Sequence, residues 1–511
     1  MTSNAIPLNA VSAVMGFDLA KANFNPSSPN LPQSICVYGE VNDANSGTFP
    51  TGWVQATNLN DVGNKYGYGS PLYLACRQIF QRGLTMPVYC YGDQSSGGEQ
   101  SKIDVSIVGT ATKSGSFKVR IAGRNSLDGY AYTVPVTSGD SADTVVSNMA
   151  NVIAGALGCP IYAADHLGTG NYRFQSKWSG TSANDITFTT DFGGIDLGLI
   201  IGITIHAATG TQPSILTALT KIGNDWRPCI VNCLQMSTDS WSTIAQSFSD
   251  IETWVGKPDD TNPTGRYTPT LFKPSIVFTG ATRDPRFATG WSDHANQVAN
   301  CVAYAENSWG MPCEIAANWA AAVVNIWQNA PESDVNGVEL TDIPGIFESD
   351  IPQSNNYAYR EAMVAAGVST SIYENGVYKI NDSITTYCAL TETPPAYRWT
   401  RDLNIFWNFK YAYRILEIQN LTNKAILPDG TKTNSPNTIT PSQWKVSVSA
   451  LMYDFELRGM AVNAKQNSKN IVVQIGGGSN PTRFDTIAPL QISSCGRVFA
   501  TTVNGGFWYG N

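Results

Sequence analysis

The chain has 511 residues, a net charge of −8 and a pI of about 5.0; 42% of its residues are hydrophobic, 11% aromatic and 14% charged. That length calls for about two to four domains, and the apolar share supports a sizeable core, which excludes global disorder. An acidic chain without a basic run lacks the cations that neutralise phosphates, so direct binding of nucleic acid is not expected.

Charged residues fall well short of the roughly 25% usual in soluble domains. Hydroxyl and amide side chains carry the polar balance, together with 22 Tyr and 13 Trp. Such a surface suits large protein–protein interfaces; a β-rich secreted or virion protein with no special interface shares it. Ten cysteines follow no disulfide or zinc spacing, and reduced, buried thiols are expected. The opening MTSNAIPLNAVSAVMG has neither the basic start nor the long apolar core of a signal peptide. No stretch approaches the ~20 apolar residues of a membrane span, so no membrane insertion is expected.

In chain order, residues 1–33 read as an extended arm, because ANFNPSSPNLPQ is rich in Pro and small polar residues. Residues 34–98 read as strand, helix, strand: SICVYG, then a helix opened by Ser70 and Pro71 and ended by Gly83, then Pro87–Tyr91. Residues 99–212 change to alternating runs separated by Gly, Ser and Asn turns, interrupted by one helix at Ser141–Ala156. From 213 the α/β pattern resumes to 485. Strands are expected at Pro228–Leu234 and Ser275–Thr279, and helices at Asp239–Val255, Asp293–Tyr304, Glu314–Trp327 and Arg360–Ala366. Val377–Ile380 and Ser383–Tyr387 are expected to pair as strands, followed by helices at Arg401–Thr422 and Pro441–Arg458 and a strand at Asn470–Gly476. Residues 486–511 form a second arm, with a last strand at Arg497–Val503. The fold class is therefore α+β multidomain: an α/β core domain with an inserted β-rich domain and extended N- and C-terminal arms.

Residues that could carry chemistry are sparse. The only histidines, His166, His206 and His294, lack metal-ligand spacing. His206 ends an apolar strand and reads as a core histidine, and His294 beside Asp293 lacks a nucleophile elbow. Gly67 and Gly69 precede a helix, but no Lys-Ser/Thr completes a phosphate loop, so they read as the turn that starts it. Gly476–Gly478 lead into NPTRF rather than a helix, and Asp259 with Asp260 lacks the ligand alternation of a calcium loop. No catalytic, cofactor-binding or metal-binding residue is assigned, no cofactor is expected, and a structural role is favoured. A hydrolase whose carboxylates lie far apart in the chain stays open.

Several segments, in order, resemble the tail sheath proteins of contractile, Mu-like bacteriophages. NAIPLNAVSAVMGFDLAKANFNPSSPNLPQSICVYGE is similar to that family's opening, and NLNDVGNKYGYGSPLYLACRQIFQRG to its first helical segment. GTATKSGSFKVRIAGR, VPVTSGDSADTVVSNMANVIAG and SGTSANDITFT resemble its inserted β domain. GVSTSIYENGVYKINDSITTY is similar to its G-I-S-T…I-T-T-Y stretch, and IAPLQISSCGRVFATTV to its closing strand. The chain departs where the family has an Arg before I-T-T-Y: here stand Asn381, Asp382 and Ser383.

The resemblance implies a structural subunit that forms stacked hexameric rings around a tail tube and contracts to drive that tube through a host envelope. It implies as partners other copies of the chain, the tail tube protein, and the baseplate and tail terminator proteins. It implies residence in the virion tail, with assembly in the host cytoplasm. Terminal arms would add strands to neighbouring subunits: Arg497, Val498, Phe499, Ala500, Thr501, Thr502 and Val503 as the donated strand, and Ile6, Pro7, Val11, Val14 and Phe17 as N-terminal arm contacts. A receptor- or glycan-binding tail or baseplate protein is the alternative reading. If residues 99–212 fold by themselves on the outside of an assembly, deleting them leaves ring formation largely intact; loss of all soluble protein on deletion, read by gel filtration, is the contrary outcome.

Overall fold

The computed structural model describes residues 29–234, 241–258, 261–287, 291, 297–346, 352–388, 397–476, 482–497 and 501. These form two compact units, a larger one built on Leu31–Lys410 with the residues from Ile492, and a smaller one built on Tyr411–Gln491.

The larger unit is organised by a six-stranded sheet in the order Asn300–Tyr304, Ile276–Ala281, Cys229–Asn232, Ile35–Glu40, Val88–Asp93, Val54–Ala56. All neighbours are parallel except the last pair, so this is an α/β sheet with one antiparallel edge. The Pro71–Gln81 helix is the crossover between Ile35–Glu40 and Val88–Asp93. It starts as the sequence predicts: the Ser70 hydroxyl accepts from Tyr73 N, and Pro71 needs no amide partner in the first turn. The Pro312–Asn329 helix packs across the sheet, with 14 of its residues buried. It comes so close that a Cβ on Gly280 would lie 1.8 Å from the Pro312 carbonyl oxygen, which restricts that strand position to glycine.

Two expectations are corrected. Residues 300–304 are a strand, not the end of a helix over Asp293–Tyr304. Every residue of NCVAY is buried, and a buried parallel strand is apolar on both faces, so it lacks the alternation that separates strand from helix. Val377–Asp382 pairs with Thr370–Glu374 and not with Ser383–Tyr387. The turn between them is Asn375–Gly376, with φ of +54° and +80°, the left-handed pair of a two-residue hairpin loop. Most of residues 293–299 that led the first of these expectations lie outside the described residues.

Residues 100–206 build a four-stranded antiparallel sheet, Leu199–His206, Gln100–Gly109, Asn171–Ser179, Ile161–Gly168, and a three-stranded sheet, Phe188–Asp191, Gly115–Ile121, Thr133–Val136. The Ala142–Ala154 helix, capped by Ser141, buries Val145, Val146, Met149, Ala150 and Ile153 against them. A buried seam joins these sheets to the core. Arg124 Nη1 reaches Glu314 Oε2 at 2.6 Å, with Glu314 fully buried at the first turn of Pro312–Asn329. Gln78 Nε2 donates to the other Glu314 oxygen at 3.2 Å, and Arg77 Nε holds Asp128 at 2.7 Å. Arg77 and Arg124 both converge on Asp342.

The smaller unit packs the Pro441–Leu457 helix on the Val472–Ile475 strand and the Ala464–Lys469 helix. Thr440 and Gln443 close a capping box at its start. Trp444 stacks edge-on against Tyr413, 5.7 Å between centroids, and its Nε1 donates to Thr486 Oγ1 at 2.9 Å.

Within the larger unit Trp319 and Trp407 are buried, Trp407 lying T-shaped against Trp327 at 5.8 Å. Replacing either by Ala is expected to cost about 3–5 kcal/mol, read by thermal or denaturant unfolding. Arg124→Ala strands the Glu314 carboxylate without its cation and is expected to cost about 3–5 kcal/mol, whereas the double change Arg124→Met, Glu314→Leu recovers most of that loss.

Candidate interaction surfaces

Among the described residues, those that the sequence offered for chemistry do not converge. His166 lies within the Ile161–Gly168 strand, its Nε2 2.8 Å from Asp143 Oδ1 on the Ala142–Ala154 helix. His206 is not a core residue: it is exposed at the end of the Leu199–His206 strand, its Nε2 3.1 Å from Asp104 Oδ2. The reason is that this strand is the sheet edge, so its apolar composition does not mean burial. Asp104 also takes Arg173 at 2.7 Å and 2.8 Å, and these hydrogen bonds hold its carboxyl below the usual range. His294, Asp259, Asp260, Gly477 and Gly478 lie outside the described residues.

Gly67 and Gly69 have φ of +96° and +84° and form the turn that leads to Ser70, as predicted. Asn42 Nδ2 donates to Tyr68 O at 2.9 Å inside this turn. Among the described residues no group of three or more His, Cys, Asp or Glu side chains could hold a metal ion. No described helix is long and apolar enough to cross a membrane. None of the ten cysteines is in a disulfide; eight are buried, and burial pushes the Cys36 and Cys301 thiols up to about 12. Cys388 and Cys495 are half-buried, Cys495 Sγ facing Glu332 O at 3.6 Å.

What the described residues do present is surface built for pairing. The Val472–Ile475 and Phe484–Ile487 strands form a sheet of their own with no third strand among the described residues. Val472 is 44% and Ile487 70% exposed on it. Two strands alone are marginal in water, and each outer edge offers a row of backbone donors and acceptors. The Pro441–Leu457 helix buries Trp444, Val448, Leu451, Met452 and Phe455 on one face. On the other face Val446, Ala450, Tyr453 and Leu457 form a second, exposed apolar stripe at i, i+4, i+7, i+11, with Leu457 88% exposed. That spacing stands in the sequence, but the sequence alone does not say which of the two stripes is covered.

Of the segment expected to be donated, Arg497 lies in no strand. Its Nε is 2.7 Å from Asp334 Oδ2 and its guanidinium stands 3.5 Å over the Trp399 ring. Thr501 is exposed; Val498, Phe499, Ala500, Thr502 and Val503 lie outside the described residues, as do Ile6, Pro7, Val11, Val14 and Phe17.

No family model matches the chain. A curated relative, the tail sheath protein of a Mu-like prophage of Haemophilus influenzae, is 22% identical over 449 residues, covering 86% of each protein. Three solved structures align along most of their length. They are a sheath tail protein of Desulfitobacterium hafniense (10% identical, 91% of this chain and 93% of that one, TM-score 0.44), a sheath tail protein of Listeria innocua (12%, 92% and 94%, 0.46) and the sheath complex of an extracellular contractile injection system in its contracted state (11%, 97% and 98%, 0.42). The relation to the curated protein covers 86% of both chains: the chain is a homologue of the tail sheath protein of a Mu-like prophage.

Proposed function

We propose that the chain is the sheath subunit of a contractile tail. It polymerises as stacked hexameric rings around a tail tube, between baseplate and terminator proteins, and contracts to push the tube through a host envelope and deliver the genome. It is made in the host cytoplasm and resides in the virion tail, and catalysis forms no part of this role. The observation that carries the reading is the relation to a tail sheath protein over 86% of both chains.

The physical chemistry of the chain agrees with this role. The hairpin of Val472–Ile475 and Phe484–Ile487 offers two open edges, and strands added from other copies would satisfy both. The segment Arg497–Val503 suits one edge and the N-terminal arm around Ile6, Pro7, Val11, Val14 and Phe17 the other. Covalent linkers would keep copies joined while their bodies shift between two packings. In this reading residues 99–212 form the outer domain, and residues 1–33 and 486–511 the arms.

Negative-stain microscopy of the purified chain tests the role: rings or long tubes are expected, and stalked trimers would support a receptor-binding tail protein instead. Strand donation has its own test. Truncation after Gly496 or after Arg497 is expected to give a folded protein that no longer polymerises. The longer variant keeps the Arg497–Asp334 pair, and an unchanged melting temperature there separates loss of polymerisation from loss of subunit stability. Normal sheaths from both variants would overturn the donation mechanism.

A further inference from the structure

Glu40 is the last residue of the Ile35–Glu40 strand, and it has no exposed surface. Its carboxylate points into the seam where the chain leaves the core for residues 100–206. Ser95, on the departing segment, donates to Glu40 Oε1, and Ser182, from the Thr181–Asp185 turn that follows the Asn171–Ser179 strand, donates to Glu40 Oε2. A Cβ on Gly180, at φ +114°, would lie 2.2 Å from Ser95 Oγ and 2.7 Å from Glu40 Oε1, so the three segments meet at one point. The segment that leaves the core and the one that returns are tied beside it by the Ser96–Thr211 bridge.

Both hydroxyls donate to the carboxyl group, and Ser182 Oγ also accepts from Trp178 Nε1 at 2.8 Å. The charged groups that bear on Glu40 are both acids: Asp43, held by Ser179 and Gln100, and Asp93, on the neighbouring strand and bonded by Tyr38 Oη at 3.3 Å. Lys221 acts on Asp93 from the other side and is not among the groups that act on Glu40. A carboxylate here is buried, faces like charges and is held only by two neutral hydroxyls.

We infer that Glu40 is a pH-sensitive clasp: neutral, it sits fully buried between Ser95 and Ser182 and lets residues 100–206 close on the core sheet, and on losing its proton it leaves in the seam a buried charge that no cation among the described residues offsets, which loosens it. Burial, the largest influence, pushes the carboxyl from an ordinary 4.5 up to about 7; the two hydroxyls pull it down, and Asp43 and Asp93 push it further up. The sign follows: the folded chain binds this proton more tightly than the unfolded chain. The stabilisation is therefore complete below about 4.5 and is lost as pH rises through about 7. The inference concerns the subunit alone and does not depend on the sheath role.

The test uses the full-length chain. Its melting temperature is expected to fall between about pH 6 and about pH 8.5, together with loss of a protonated-carboxyl infrared band. Glu40→Gln keeps the neutral shape, and is expected to reduce this part of the melting profile and the band to the share left by Glu252, whose carboxyl burial also pushes up to about 7. If Glu40→Gln keeps the wild-type slope and band, the assignment is wrong. Ser95→Ala supplies a second reading should Glu40→Gln fold poorly: loss of a hydroxyl that favours the charged form is expected to move the inflection to higher pH. An unmoved inflection in Ser95→Ala likewise overturns the clasp.

Discussion

Glu314 is a full charge with no exposed surface, and the larger unit is arranged so that this charge is never alone. It sits in the first turn of the Pro312–Asn329 helix, where a carboxylate also suits the helix dipole. A buried carboxylate demands a cation and further donors, and here they come from elsewhere in the chain: Arg124 from the loop after Gly115–Ile121, Gln78 from the Pro71–Gln81 helix, and the amide of Met311. Meeting that demand fixes the position of two helices over the core sheet and the point at which residues 100–206 attach. Gly280 completes the arrangement by letting the helix approach the sheet backbone.

How much of this was legible in the sequence depends on whether the signal was local. The Pro71, Ala142 and Pro441 helices carry their own caps in Ser70, Ser141 and Thr440, and the first two were readable as such in the sequence. The Asn300–Tyr304 strand fails because buried parallel strands are uniformly apolar. The Thr370–Glu374 hairpin has a local signal in Asn375–Gly376, whereas the β-branched I-T-T-Y run has strand composition without a strand partner of its own. The division at Tyr411 falls inside the Thr400–Asn420 helix, so no linker composition marks it. Of the candidate site, the absence of local motifs was readable, whereas Glu40 and Glu314 are indistinguishable in sequence from any surface glutamate. Their partners Ser182, Arg124 and Gln78 lie 142, 190 and 236 residues away.

The smaller unit shows the opposite economy. Its long helix is apolar on two faces, one covering the hairpin strand and one exposed, and the hairpin has two strands among the described residues. A monomer gains nothing from either. Under the proposed role both would meet copies of the same chain, and such surfaces must be complete before those copies arrive.

The Leu199–His206 edge strand has a further consequence. LIIGITI bears no charge, no proline and no bulge against its neighbour Gln100–Gly109, and Ile200 is 72% and Ile205 51% exposed. Natural edges are usually blunted by one of those devices. Clumping of this chain at high concentration can therefore start from the native state, with intact sheets zipping edge to edge. Stabilising the fold elsewhere will not suppress it, while a single lysine in place of Ile200 would.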